Sequence, residues 1–123
     1  MPEPGTHRTA LDIRCRDEDS GIVVISAAGR LMLGPEGAQL ENAIRDGLAK
    51  GKRKFILDFT ELTHIDSTGI GRCISSLNMT MQAGGKLVIA GATGQVRDGF
   101  RVTRLDRVFR FVDDLESARA AVQ

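Results

Sequence analysis

Residues 10–16, "ALDIRCR", alternate strictly. Leu11, Ile13 and Cys15 share one face and Asp12, Arg14 and Arg16 the other, the period of a half-exposed strand. "DEDSG" then marks a turn. "IVVISAAGRL" (22–31) is nearly continuously apolar and predicts a strand near the middle of a sheet, joined to the first as a hairpin. At 34–37, "GPEG" opens a helix: Pro35 suits the first turn, and Glu36 complements its positive end. Leu40, Ala43, Ile44, Gly47 and Leu48 then recur at helical spacing, and Gly51 ends the run.

The second half alternates more regularly. "KRKFILDF" (52–59) predicts a strand covered on both faces, and "TELTHID" a connecting loop that carries His64. A helix over about 67–83 would bury Ile70, Cys73, Ile74, Leu77 and Met81, leaving Arg72, Ser76 and Met79 on the opposite side. "AGGK" stops it, and "KLVIAG" (86–91) is another buried strand. "TGQVRDGFRVTRL" starts a third helix with Val96 and Phe100 inward; "VFRFV" (108–112) is a short edge strand. "DDLESARAAV" (113–122) is a helix with acids at its N-terminal end. The order β-β-α-β-α-β-α-β-α predicts one α/β domain over 10–123 with a mixed, mostly parallel sheet. Residues 1–9 are expected to form a flexible tail.

Composition narrows the chemistry. A chain of 123 residues suits one domain, and a net charge of +1 offers no global field for nucleic acid or a membrane. There is no Trp or Tyr to serve as a base-stacking platform, so no direct nucleic-acid contact is expected. No apolar run approaches the ~20 residues of a membrane span. The start, "MPEPGTHRTA", lacks a signal peptide's apolar core, so a cytoplasmic location is expected. Cys15 and Cys73 are expected to be buried free thiols. His7 and His64 are too isolated to build a metal site, and "GLAKGKRK" and "GATGQVRDG" lack phosphate-loop spacing, so neither metal nor cofactor is expected.

His64, Asp66 and Ser67 are too crowded in sequence for a nucleophilic triad, and no "GxSxG" elbow occurs. No catalytic residue is assigned, and the chain is expected not to be an enzyme. Asp58, at a strand end, is expected to order a loop. Residues 97–110 carry five arginines against two aspartates, a local basic patch. Such a patch is ordinarily a solvated face; an acidic partner surface is the other possibility.

The segment "HIDSTGIG" (64–71) concentrates polar groups at a strand-to-helix corner. A helix N-terminus leaves backbone N–H groups unpaired and carries partial positive charge. Asp66, Ser67 and Thr68 are residue types that accept such bonds. Gly69 and Gly71 cost about 1 kcal/mol each relative to Ala. Both are expected to keep the first turn uncovered for close approach by another protein.

Those residues, "FTELTHIDSTGIG", with "AGGKLVIAG" and "LDRVF", resemble the STAS family, the domain of bacterial anti-sigma factor antagonists. The resemblance spans roughly residues 10–122. It implies a partner that is an anti-sigma factor and a serine kinase of the GHKL type with bound ATP. It also implies that Ser67, directly after the Asp, is the phosphorylated serine. The unmodified antagonist would sequester the kinase, the phosphorylated form would release it, and a serine phosphatase would reset the cycle. Asp66 and Gly69 would shape the loop, with Thr68, Arg72 and Met79 flanking it on the contact side. One departure stands out. The family's Gly-x-apolar-Asp pattern after the second strand is here Gly29-Arg30-Leu31-Met32, without the acid. That departure leaves an alternative: a STAS subunit of a larger stress-signalling or lipid-transport assembly, docking through the same corner.

Overall fold

The computed structural model describes residues 11–123. The expected tail, residues 1–9, lies outside the described residues, as does residue 10. The described residues form six strands and four helices. In chain order these are β1 (Leu11–Asp17), β2 (Ile22–Leu31), α1 (Ala38–Ala49), β3 (Lys54–Asp58) and β4 (Leu62–Ile65). They continue as α2 (Ser67–Gln82), β5 (Lys86–Ala90), α3 (Gly94–Val102), β6 (Arg110–Val112) and α4 (Leu115–Val122). The predicted α/β architecture with a mixed, mostly parallel sheet is the observed one.

The sheet runs β1-β2-β3-β5-β6, with β1 antiparallel to β2 and the remaining pairs parallel. Strand β4 corrects the loop expected over "TELTHID". It pairs parallel with the far end of β2, where Gly29, Arg30 and Leu31 face Leu62, His64 and Ile65. The long β2 thus serves two neighbours on one side. Its first half pairs with β3 as far as Ser26 and Asp58, and its last residues pair with β4. The register slips between Gly29 and Arg30, so the buried Leu62 and Ile65 are spaced by three rather than two. That slip erases the alternation by which a strand is recognised.

Helices α1, α2 and α3 cover one face of the sheet. There Val23, Ile25, Phe55, Leu57 and Ile89 meet Leu40, Ile44, Cys73, Leu77, Val96 and Phe100. Helix α4 covers the other face, where Ala118 and Val122 pack on Ile22, Val24, Ile56 and Val88. Strands β2, β3 and β5 are therefore apolar on both sides, as their unbroken runs predicted.

Three expectations about burial are corrected. Cys73 is buried, but Cys15 is exposed. It lies on the edge strand, while the apolar stripe of α1 is turned inward, with Gly47 lying against the Phe55 ring. Met81, assigned to the core stripe, is 61% exposed, whereas Ser76 and Thr80 are fully buried. Each hydroxyl donates one turn back, Ser76 to the Arg72 carbonyl and Thr80 to the Ser76 carbonyl, both at 2.9 Å. With their polar groups satisfied, small residues can occupy a tight contact.

An ion-pair cluster joins the β1–β2 turn to α4. Glu18 accepts from Arg119 Nε and Nη2, each at 2.8 Å, and from Arg16 Nη2 at 2.9 Å. The Arg119 guanidinium, helped by Arg16 and opposed by partial burial, holds the Glu18 carboxyl at about 2, below its ordinary 4.5. The unfolded chain therefore binds the proton first as pH falls, so the contribution is complete above the ordinary value and lost toward the folded one. Replacing Glu18 with Gln should lower the thermal midpoint at neutral pH. The gap to wild type should close as pH drops from about 5 toward about 2. Melting followed by circular dichroism across that range checks this; a gap independent of pH would contradict it.

Candidate functional site

The corner after β4 is organised by one carboxylate. Asp66 has extended backbone and caps α2: its Oδ1 accepts from the Gly69 N–H at 2.9 Å. Its Oδ2 accepts from the Leu33 N–H at 2.9 Å, and its own N–H donates to the Leu31 carbonyl at 3.3 Å. The helix start and the loop after β2 are thus held to each other through a single side chain. Partial burial pushes the Asp66 carboxyl up. The backbone N–H groups of Gly69, Leu33 and Thr68 outweigh it, leaving the group below its ordinary value.

Ser67, the first residue of α2, is exposed, and its hydroxyl makes no hydrogen bond to any described residue. Thr68 is half-buried. Gly69 is a correction. It is buried rather than open, and a Cβ there would collide with the Leu31 carbonyl oxygen and lie 2.8 Å from Ile65 Cγ1. Its missing side chain lets α2 pass close over the end of β2. Gly71 matches the expectation: it is exposed, and a Cβ there would have nothing within 4 Å.

Arg72 and Met79 do not lie on the open surface around Ser67. Arg72 donates from Nη1 to Glu41 Oε1 at 2.6 Å and from Nη2 to the Gly34 carbonyl at 3.3 Å, and its Nε occupies the space beside Gly37. It clamps α2 to α1 and to the turn that precedes it. Met79 is half-buried and packs against the core. The side of α2 expected to face outward is therefore its contact with α1. Helix α2 has neighbours on two sides, so its buried arc is wider than one apolar stripe.

Three further residues of the corner escape a reading of the sequence. Leu33, held by Asp66, is 81% exposed. Val102 at the end of α3 is 80% exposed. It lines a groove of about 290 Å³ with Ile65, Ser67, Ile70, Gly99 and Thr103. Gln95 of α3 supplies what a next strand would: its Oε1 accepts from the Ile65 N–H at 2.8 Å, and its Nε2 donates to the Ile65 carbonyl at 2.9 Å. The only sequence signal for Leu33 is an apolar residue beside a loop glycine. Gln95 carries none, since the edge it closes belongs to the unpredicted β4.

The arrangement offers a displayed hydroxyl with apolar neighbours. His64 is exposed, with Nδ1 2.9 Å from Thr63 Oγ1, and no hydrogen bond links it to Ser67. Asp58 acts as expected, accepting from the Thr60 N–H at 3.1 Å and the Thr60 hydroxyl at 2.6 Å, which orders the turn before β4.

The sequence profile of the STAS domain matches residues 16–118. BtrV of Bordetella bronchiseptica, a candidate anti-sigma factor antagonist, is 26% identical over 105 residues, covering 85% of this chain and 90% of its own. Among solved structures, a candidate anti-sigma factor antagonist of Thermotoga maritima (tm1081) superposes with a TM-score of 0.80 at 22% identity. That match covers 89% of this chain and 93% of the Thermotoga chain. The Bacillus cell fate determinant SpoIIAA in its phosphorylated form has a TM-score of 0.72 at 20% identity, covering 91% of this chain and 100% of its own.

The two glycines of the first helical turn should separate in a denaturation experiment. Gly69→Ala, which forces α2 away from Leu31, should destabilise by about 2–3 kcal/mol. Gly71→Ala, in open space, should stabilise by about 1 kcal/mol. Equal effects from the two would contradict the packing assigned to Gly69.

Proposed function

Because the chain belongs to the STAS domain family, we propose that it is an anti-sigma factor antagonist whose Ser67 corner binds a kinase and is switched by phosphate. The partner is an anti-sigma factor that is also a serine kinase of the GHKL type, and a serine phosphatase reverses the modification. The chain itself performs no catalysis and acts in the cytoplasm, where ATP is available to its partner. The observation that carries this is the exposed, unbonded Ser67 hydroxyl at an anchored helix start, with Leu33 and Val102 projecting nearby.

A phosphate on Ser67 adds about −1.5 to −2 charges and three acceptor oxygens. Free in water, it sits at a helix N-terminus, which favours anions, so the fold accommodates it. Asp66 opposes it, because that carboxylate already takes the Gly69 N–H. Inside a water-excluding contact, an unpaired charge costs several kcal/mol. A penalty of about 3 kcal/mol is roughly 100-fold in affinity. Charge alone suffices to release the partner.

Met32 stands where the family pattern has an acid, and it is half-buried beside the exposed Leu33. That substitution favours a second reading, docking without a switch inside a larger assembly. Affinity capture with wild type, Ser67→Ala and Ser67→Asp separates the two. Under the first, an ATP-binding kinase is held by the Ala form and lost, by roughly 100-fold, from the Asp form. Equal capture of one partner by all three would sink the switch and support the second.

A further inference from the structure

We propose that the arginine-bearing segment 102–110 is a second docking surface, built for an acidic segment of the partner protein that carries interspersed apolar side chains. The identity of that partner rests on the function proposed above; the surface itself does not.

The first observation is charge without partners. Of the five arginines in 97–110, Arg97 lies over the Phe111 ring at 3.7 Å and Arg101 pairs with Asp98 at 2.6 Å. Arg104, Arg107 and Arg110 are exposed, and among the described residues none makes a side-chain hydrogen bond or ion pair. The remaining acid of the segment, Asp106, is half-buried and likewise forms no ion pair, so the surface keeps a positive excess. Val102 and Val108, 80% and 53% exposed, are interspersed with these arginines.

The second is a backbone conformation that disfavours the residue placed in it. Helix α3 ends with the Leu105 N–H on the Phe100 carbonyl at 2.8 Å, and Arg104 between them has φ +62°. Glycine is the usual occupant of such a helix end, because it alone adopts this region without a Cβ penalty. An arginine here gives up stability that Gly would supply. Strain held at an exposed position points to a use for the side chain.

The third is rigidity. Beneath the segment Phe100 packs edge-on to both Phe109 and Phe111, with centroids 5.2 Å apart in each pair. The Val108 and Phe109 N–H groups both donate to the Leu105 carbonyl. The arginines therefore stand on a preformed base, which lowers the ordering cost of binding.

Position favours a protein over other anions. Val102 and Thr103 also line the groove beside Ser67, so the two surfaces are continuous. Exposed valines between arginines suit a partner that alternates acid and apolar side chains. Nucleic acid fits less well: the chain's net charge is +1, and its phenylalanines are buried or half-buried, leaving no stacking platform.

The test titrates the isotope-labelled full chain with a synthetic peptide of glutamate and leucine, followed by NMR. Parallel titrations use a DNA duplex and vesicles of phosphatidylglycerol in phosphatidylcholine. The peptide should shift resonances of 102–110, and reversing two charges (Arg107→Glu with Arg110→Glu) should weaken it about tenfold without moving the melting temperature. Arg104→Gly should raise the melting temperature yet weaken the peptide, whereas a purely structural Arg104 would leave binding unchanged. Absence of peptide binding, shifts mapping elsewhere, or tighter binding of DNA or vesicles would overturn the proposal and leave the Ser67 capture result standing. Peptide binding at 102–110 with no kinase captured would sink the Ser67 switch alone.

Discussion

The corner depends on the Asp66 carboxylate, which accepts from the Leu33 and Gly69 N–H groups at once. One oxygen starts α2; the other fixes the loop that leaves β2. Without it, two backbone donors would lose their common acceptor, and the loop and helix would no longer be set against each other. The rest of the corner follows from that joint. Gly69 must lack a side chain because the joint presses α2 onto the Leu31 carbonyl. Ser67, one residue past the cap, faces solvent. Gln95 completes the arrangement by bonding both backbone groups of Ile65, the residue before the cap.

This construction divides internal support from outward display. The side chains that hold the corner, Asp66, Gln95 and Arg72, are engaged internally. Those that face outward, Ser67, Leu33 and Val102, carry no structural bonds through their side chains. The modification proposed at Ser67 would therefore leave the bonds that hold the corner intact. The same division recurs in 102–110, where phenylalanines support the segment from below and unpaired arginines project above it.

Much of the fold was legible because its signals are local. The doubly covered strands announce themselves as unbroken apolar runs, and the cap at Asp66 follows from residue types beside a helical pattern. What was not legible depends on distant neighbours. The space at Gly69 is closed by Leu31, far back in the chain, so nothing at 64–71 reveals whether that glycine is open or packed. Strand β4 hides behind the slip at Gly29 and Arg30. The inward turn of Arg72 and Ser76 reflects α1 lying alongside, and hydroxyls bonded to the preceding turn give no apolar signal of burial. Cys15 followed a correct alternation to an incorrect burial, because alternation assigns a face and not its cover.

On the function proposed above, negative charge at Ser67 would eject a bound protein while the domain stays as it was. The decisive experiment is calorimetric titration of the proposed kinase partner with unmodified and Ser67-phosphorylated protein, with amide hydrogen exchange measured on both forms. Affinity should fall by roughly 100-fold on phosphorylation, with exchange in α2 and the sheet preserved. Equal affinities, or a loss accompanied by opening of α2, would refute the switch.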